Sequence, residues 1–296
     1  MKKLAIVLIL ALVSCESQER ESDLPDVLGA NYALSTQSFI ETYESIENSL
    51  KAAAPISIVA VVDHKSNAAS VNQELKDAKT IFFGNPALGT AFMQENQQAG
   101  LDLPQKFAVY TTQNDTTILI YNDVDYLKNR HGVDPATAPK VATALENIAL
   151  KAKNSQIIQN KESVTRDEGV VVVKSDRDFE LTYQSLINAL NANPAIKIIA
   201  ELDHQQNAAS VNLSLLPTRV VILGNPTSGT PLLQKGGSIS LDLPQKMLVY
   251  QDATGIVKIA FNDASFMAKR HNLNNAENIA IINNALATFA ETAAGR

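Results

Sequence analysis

The chain has 296 residues, 45% of them hydrophobic and 19% charged, enough for two ordinary domains with cores of their own and unlike a disordered chain. A formal net charge of −6 repels nucleic acid phosphates and anionic headgroups, so neither is an expected partner. The single cysteine, Cys15, leaves the rest of the chain without a disulfide, a thiolate metal ligand or a cysteine nucleophile.

In chain order, Met1-Lys2-Lys3 is a short positive region, and Leu4 to Val13 is an apolar run too short to span a bilayer as a helix. The run ends in Leu12-Val13-Ser14-Cys15, which resembles a bacterial lipobox, and a polar stretch from Glu16 to Asp26 follows. The expectation is a signal peptide over 1–14, acylation at Cys15, and a lipid-anchored tether over 15–28 that holds the protein to a membrane of the bacterial cell envelope.

Gly29 to Ser35 reads as a first strand. Phe39, Tyr43, Ile46 and Leu50 then recur at helical spacing, with Ser35 or Thr36 as N-cap and Pro55 as the stop. Ile56 to Val62 is an apolar strand that runs into Asp63-His64, and Asn67 follows at the strand end or in the loop beyond it. Lys79 to Phe83 forms another strand, ended by Gly84-Asn85-Pro86, a turn signal. Residues 86–105 show no period and read as irregular. Lys106 to Thr112 and Thr117 to Tyr121 make a hairpin; Asn122-Asp123 cap a short helix that reaches Arg130-His131. Val141, Leu145 and Ile148 mark a final amphipathic helix that runs to about Ala152.

After a polar linker over 153–168 the pattern is written again, 140 residues on. Asp63, His64 and Asn67 return as Asp203, His204 and Asn207, Asn85 as Asn225, Lys106 as Lys246, and His131 as His271. Across 37–133 and 177–273, 37 of 97 positions are identical without a gap, which identifies a tandem duplication. The second helix carries Phe179, Tyr183, Leu186 and Leu190, capped by Ser175 or Asp176, and the last one Ile279, Ile282, Leu286 and Phe289. The expected domains are therefore 29–152 and 169–296, each reading β-α-β-β-β-β-α, an antiparallel sheet backed by helices in the α+β class.

Four ordered motifs now stand in each half: an apolar strand entering Asp-His-x-x-Asn-Ala, another entering Gly-Asn-Pro-x-x-Gly-Thr, Leu-Asp-Leu-Pro-x-Lys, and Arg-His on the last short helix. On these motifs each half resembles the domain-of-unknown-function 302 family of small bacterial proteins. That resemblance implies a compact β-α-β(4)-α fold likened to one half of the TATA-binding saddle. It implies no established reaction, substrate or cofactor. Ordinary members have one such domain, so the duplication suggests two repeats packed on each other as a pseudo-dimer.

All four histidines lie at duplicated positions, while apolar positions have drifted, Phe82-Phe83 becoming Ile222-Leu223. Two readings of the polar set stay open. In one, Asp63, His64, Asn67, Asn85, Lys106 and His131 gather around one cleft per repeat, with Asp203, His204, Asn207, Asn225, Lys246 and His271 around the other, each taking a small polar ligand. In the other, these residues bond their own turns and satisfy buried groups. Asp63 and His64 do not form a dyad by adjacency, since neighbours along a strand point to opposite faces; Asp102 or Asp123 would have to orient His64 instead. Arg130 and Arg270 at a helix end are read as complementing the helix dipole. The expected function is binding or sensing, with a histidine-dependent, metal-assisted enzyme built on the His, Asp and Lys set as the alternative.

Overall fold

A computed structural model describes residues 24–152, 156–160 and 162–296. The leader, Cys15 and most of the tether lie outside these residues. Each repeat folds as an antiparallel sheet with helices on one face. In the first repeat the strands are β1 (Ala30–Ser35), β2 (Ser57–Asp63), β3 (Ala78–Gly84), β4 (Gln105–Thr111) and β5 (Thr117–Asn122), in the order β2-β3-β4-β5-β1. A short strand, β6 (Ile157–Gln159), adds to the free edge of β1, antiparallel, with Tyr32 opposite Ile158. The second sheet is β7 (Val170–Lys174), β11 (Val257–Asn262), β10 (Gln245–Gln251), β9 (Thr218–Gly224) and β8 (Lys197–Asp203), in that order. The α+β class and the paired antiparallel sheets backed by helices are thus as read from the sequence.

Alternation along the strands assigns the two faces of each sheet. In β4, Phe107 and Val109 join the core under the helices, where Phe107 stacks on Phe83 with ring centroids 5.0 Å apart. Lys106, Ala108 and Tyr110 point the other way. The covering helices are α1 (Phe39–Ala52), which buries Tyr43, Ile46 and Leu50, and α5 (Ala138–Ala149), which buries Val141, Leu145 and Ile148. In the second repeat the same work is done by α6 (Phe179–Asn191) and α10 (Ala276–Ala294).

The opposite face of each sheet is covered by the other repeat. Gln97–Leu101 and Gly237–Leu241 are 3₁₀ segments that cross the duplication: Leu101 packs with Val220, Leu248 and Tyr250, and Leu241 with Ala108, Tyr110 and Ile120. Gln97 Nε2 donates to Thr218 Oγ1 at 2.8 Å, and Gln98 Nε2 to the Tyr250 hydroxyl at 3.1 Å. Gly237 lies against the Tyr110 ring so closely that a Cβ there would sit 2.3 Å from Cδ2.

Several local expectations are corrected. Residues 86–105 are not irregular: they hold α3 (Pro86–Glu95) and the first 3₁₀ segment, and α8 (Pro226–Lys235) answers α3 in the second repeat. The segment after Asp63 is a short helix, α2 (His64–Ala69), with α7 (His204–Ala209) as its counterpart. Helices α1 and α6 are capped by Ser38 and Asp178, because the Ser35 and Ser175 hydroxyls are bonded to Thr42 and Thr182 Oγ1, both at 2.7 Å. The end of the tether belongs to the body: Val27 is buried, and Leu28 O accepts Arg270 Nε at 2.7 Å. So does part of the linker, where Val164 is buried in the core cluster of the second repeat.

Candidate functional site

Asp63 ends β2 and caps α2: its Oδ1 accepts the Ser66 amide at 2.9 Å and its Oδ2 lies 3.2 Å from Lys79 Nζ. Asp203 does the same, with Gln206 N at 2.8 Å and Arg219 Nε at 2.8 Å. Neither carboxylate turns to the adjacent histidine. His64 instead points its Nε2 at Thr80 Oγ1, 3.0 Å away, while Thr80 donates its one hydroxyl proton to Ser240 O at 2.6 Å. The imidazole must therefore be the donor, which fixes His64 as the Nε2–H tautomer and leaves Nδ1 as its acceptor. In the second repeat Val220 stands where Thr80 does, and His204 Nε2 is buried without a partner. Burial pushes both rings down to about 4, so they are neutral at neutral pH.

Asn85 and Asn225 cap α3 and α8. Asn85 Oδ1 accepts Ala87 N at 3.0 Å and Leu88 N at 3.3 Å, and Asn225 Oδ1 accepts Thr227 N at 3.0 Å; the prolines after them occupy helix positions that need no amide proton. Asn67 and Asn207 contribute only backbone carbonyls to their own turns, accepting from Ser70 and Ser210 Oγ at 2.7 Å each.

The motifs meet across the duplication, not within a repeat. One cleft, of about 440 Å³, sets Asp203, His204 and Asn207 of the second repeat against Asn85, Gly89 and Thr90 of the first. The other, of about 410 Å³, sets Asp63, His64 and Asn67 against Asn225, Gly229 and Thr230. Both are walled by the helix-covered face of the sheet, α3 or α8, and α5 or α10, so their lining is chiefly apolar: Phe83, Leu88 and Leu145 in the first, Leu233, Ile282 and Phe289 in the second. Gln105 and Gln245 line the same two clefts, and each has one carboxamide atom buried without a partner.

Lys106, Lys246, His131 and His271 line neither cleft, which corrects the expected grouping. The physical reason is the strand: Gln105 faces the cleft, so its neighbour Lys106 faces the other repeat. There the four residues join a buried ionic cluster at the repeat interface. Arg130 Nη1 donates to Asp102 Oδ2 at 2.6 Å and His131 Nε2 to the same oxygen at 2.7 Å. Arg270 Nη1 and His271 Nε2 bond Asp242 Oδ2 at 2.8 and 2.9 Å. Each arginine also crosses the interface, Arg130 Nη2 to Asn262 Oδ1 at 2.8 Å and Arg270 Nη2 to Asn122 Oδ1 at 2.7 Å. Asp102 thus serves His131 and not His64, Asp123 caps α4 (Val124–His131) through the Tyr126 amide, and both arginines are buried ion-pair partners, not dipole complements.

Burial alone would raise the Asp102 and Asp242 carboxyls, but Arg130 and Arg270 beside them hold both below the usual carboxylate range. Two carboxylates against two guanidiniums close the charge balance, so Lys106 and Lys246 lack a countercharge of their own. Lys106 Nζ reaches Asp242 Oδ1 only at 3.5 Å, Lys246 Nζ donates to Pro104 O at 3.2 Å, and burial pushes both ammonium groups down.

The sequence reading missed Gln105, Gln245, Thr90 and Thr230 as cleft residues and Asp102 with Asp242 as the centre of the cluster. The signal was present: Leu-Asp-Leu-Pro-Gln-Lys is one of the two longest unbroken identities between the repeats, equal in length to Asn-Ala-Ala-Ser-Val-Asn. Among the described residues no group of three or more His, Cys, Asp or Glu side chains is placed to hold a metal ion, and no helix is long and apolar enough to cross a membrane.

Comparison with known proteins places this geometry in context. Two Brucella proteins named fluoride-specific ion channels, FluC 1 of Brucella suis and FluC 1 of Brucella abortus, are each 34% identical over 115 residues, 39% of this chain and 45% or 42% of theirs. The chain thus spans less than half the length of these curated relatives. The crystal structure of an uncharacterized conserved DUF302 protein from Bacillus stearothermophilus aligns with a TM-score of 0.39 at 20% identity, covering 42% of this chain and 98% of that one. The family model described as Domain of unknown function DUF302 matches residues 31–152 and again 171–289, so the chain belongs to that family and carries its domain twice.

Proposed function

We propose that the protein is an envelope-anchored lipoprotein, held through lipid at Cys15, whose duplicated domain binds a small molecule in the two clefts between its repeats. The observation that carries the binding reading is that Asp-His-x-x-Asn of each repeat and Gly-Asn-Pro-x-x-Gly-Thr of the other line one cleft, twice over. Volumes of about 410 and 440 Å³, apolar walls and a few convergent polar groups are the features of small-molecule sites. The lining moves the reading from a small polar ligand toward a molecule with an apolar body. Fluoride, named for the Brucella relatives, is not carried over. The helix N-termini at the clefts are capped by Asn85 and Asn225, and no cation lines the larger cleft. The histidine-dependent enzyme is not favoured either: His64 is tied to Thr80, and the cleft histidines share no site with Lys106 or His131.

A thermal-shift screen of the intact chain, run beside a variant with both clefts filled (Ala144→Trp with Ala285→Trp), tests the binding reading. Ligands that raise Tm in the parent and not in the filled variant support it; hits that shift both alike defeat it. For the anchor, Cys15→Ser moves the protein from the membrane fraction to the soluble fraction, and an unchanged distribution removes that part of the proposal.

A further inference from the structure

Resting on the reading of the clefts as binding sites, we infer that the larger cleft takes an uncharged molecule with an apolar body and a carbonyl-type oxygen at its head. Gln105 and Thr90, 7% and 1% exposed, line this cleft, and Gln105 Nε2 and Thr90 Oγ1 are buried without a hydrogen-bond partner. Buried polar atoms are nearly always paired in folded proteins, so these two unmet donors among the residues of one cleft mark the place of a missing partner; the third unpartnered atom of the lining, His204 Nε2, belongs to a ring whose Cδ2 edge lies against Gly100. An amide N–H and a hydroxyl both donate, so an acceptor oxygen is what each lacks.

Charge decides between oxygen types. The charged side chains along this cleft are Glu201 and Asp203, the latter already matched by Arg219; no Lys or Arg lines it. A carboxylate or phosphate head would be desolvated without a cation. The α3 N-terminus offers it no free amides, since Asn85 accepts from both of the first two available. An ammonium head would leave the Gln105 N–H unmet. A neutral carbonyl meets every condition.

The second cleft differs at the residue that faces its carboxamide nitrogen. Gln245 Nε2 donates to Met267 Sδ at 3.3 Å, where the first repeat has Leu127, so its carboxamide nitrogen is engaged and its Oε1 is the open atom. The acceptor-bearing molecule therefore belongs to the Gln105 cleft.

The probe is 6-propionyl-2-dimethylaminonaphthalene, a neutral aryl ketone, compared with 6-dimethylamino-2-naphthoate, which puts a carboxylate on the same rings. The intact chain, which has no tryptophan, is titrated with each and the emission shift is followed. Saturable ketone binding is expected, at least tenfold tighter than the carboxylate, weakened about tenfold by Gln105→Leu, and lost in Ala144→Trp but kept in Ala285→Trp. Where Gln105→Leu loses its circular dichroism signature, Thr90→Val takes its place with the same expectation. A carboxylate that binds as tightly as the ketone, with both lost in Ala144→Trp, overturns the neutral head while the cleft stands as a site. Ketone binding that survives Ala144→Trp, or no saturable ketone binding at all, overturns the inference. Binding of both probes that survives both tryptophan variants removes the cleft reading with it.

Discussion

One position, 80 in the first repeat and 220 in the second, shows how a single side chain sets the state of a buried histidine. Thr80 Oγ1 accepts a hydrogen bond from His64 Nε2 and donates one to Ser240 O, so one hydroxyl satisfies two groups, one from each repeat. Thr80→Val leaves the imidazole N–H and the Ser240 carbonyl unpaired, which costs about 1–3 kcal/mol. The loss is read as a lower midpoint in urea denaturation followed by far-ultraviolet circular dichroism. The reverse change, Val220→Thr, gives His204 Nε2 the partner it lacks and raises the midpoint, by about 1 kcal/mol or less.

At the level of elements, what the sequence disclosed was what periodicity discloses. The strands other than β6 and the helices α1, α5, α6 and α10 carry apolar patterns that place them within a few residues. Residues 86–105 do not, because α3 packs at a crowded junction where Ala87, Gly89 and Thr90 interrupt any apolar stripe. Its start is written instead in Asn85-Pro86, a cap followed by a proline that needs no donor. Asn85→Ala accordingly costs about 1 kcal/mol, visible as a lower Tm, with a similar loss for Asn225→Ala. Strand β6 was hidden for another reason: three residues carry no period, and their pairing depends on the free edge of β1. The clefts were half legible. Their Asp, His and Asn members are legible in the motifs, Gln105, Thr90 and their counterparts are not; a sequence shows neighbours along a chain, and these sites join residues as far apart as Asn85 and Asn207 or Asn67 and Asn225. Lys106 and His131 were drawn into the same site for want of the one fact that separates them, the face of β4 on which Gln105 lies.

The whole molecule is held as one unit by the ionic cluster between its repeats. Arg130 is fully buried and ties Asp102 of its own repeat to Asn262 of the other. Replacing it with Met strands a buried carboxylate, which costs about 3–5 kcal/mol. Because both repeats share the cluster, the loss appears as an earlier single transition of the entire chain; two separated transitions in the parent protein would contradict this coupling.

Acid attacks the same interface in a definite order. His64 and His204, ordinarily near 6.5, are held at about 4 by burial, so the unfolded chain takes up protons that the folded chain refuses between those values. Their contribution is complete above pH 6.5 and is lost as pH falls toward 4, on the order of 3 kcal/mol for each ring at the lower end. His271, pushed down by burial, acts in the same direction. Asp102 and Asp242 extend the loss below the ordinary carboxylate range, since the arginines that hold their carboxyls down keep stabilising the fold until those groups are protonated. Urea midpoints measured at pH 7, 6 and 5 should therefore fall steadily, well before Asp102 and Asp242 titrate. In His64→Gln with His204→Gln the slope between pH 6.5 and 5 flattens, because the rings that refused protons are gone. A parent midpoint that holds constant from pH 7 to 5 would show that the buried imidazoles are hydrated, and that the interface between the repeats is open to water.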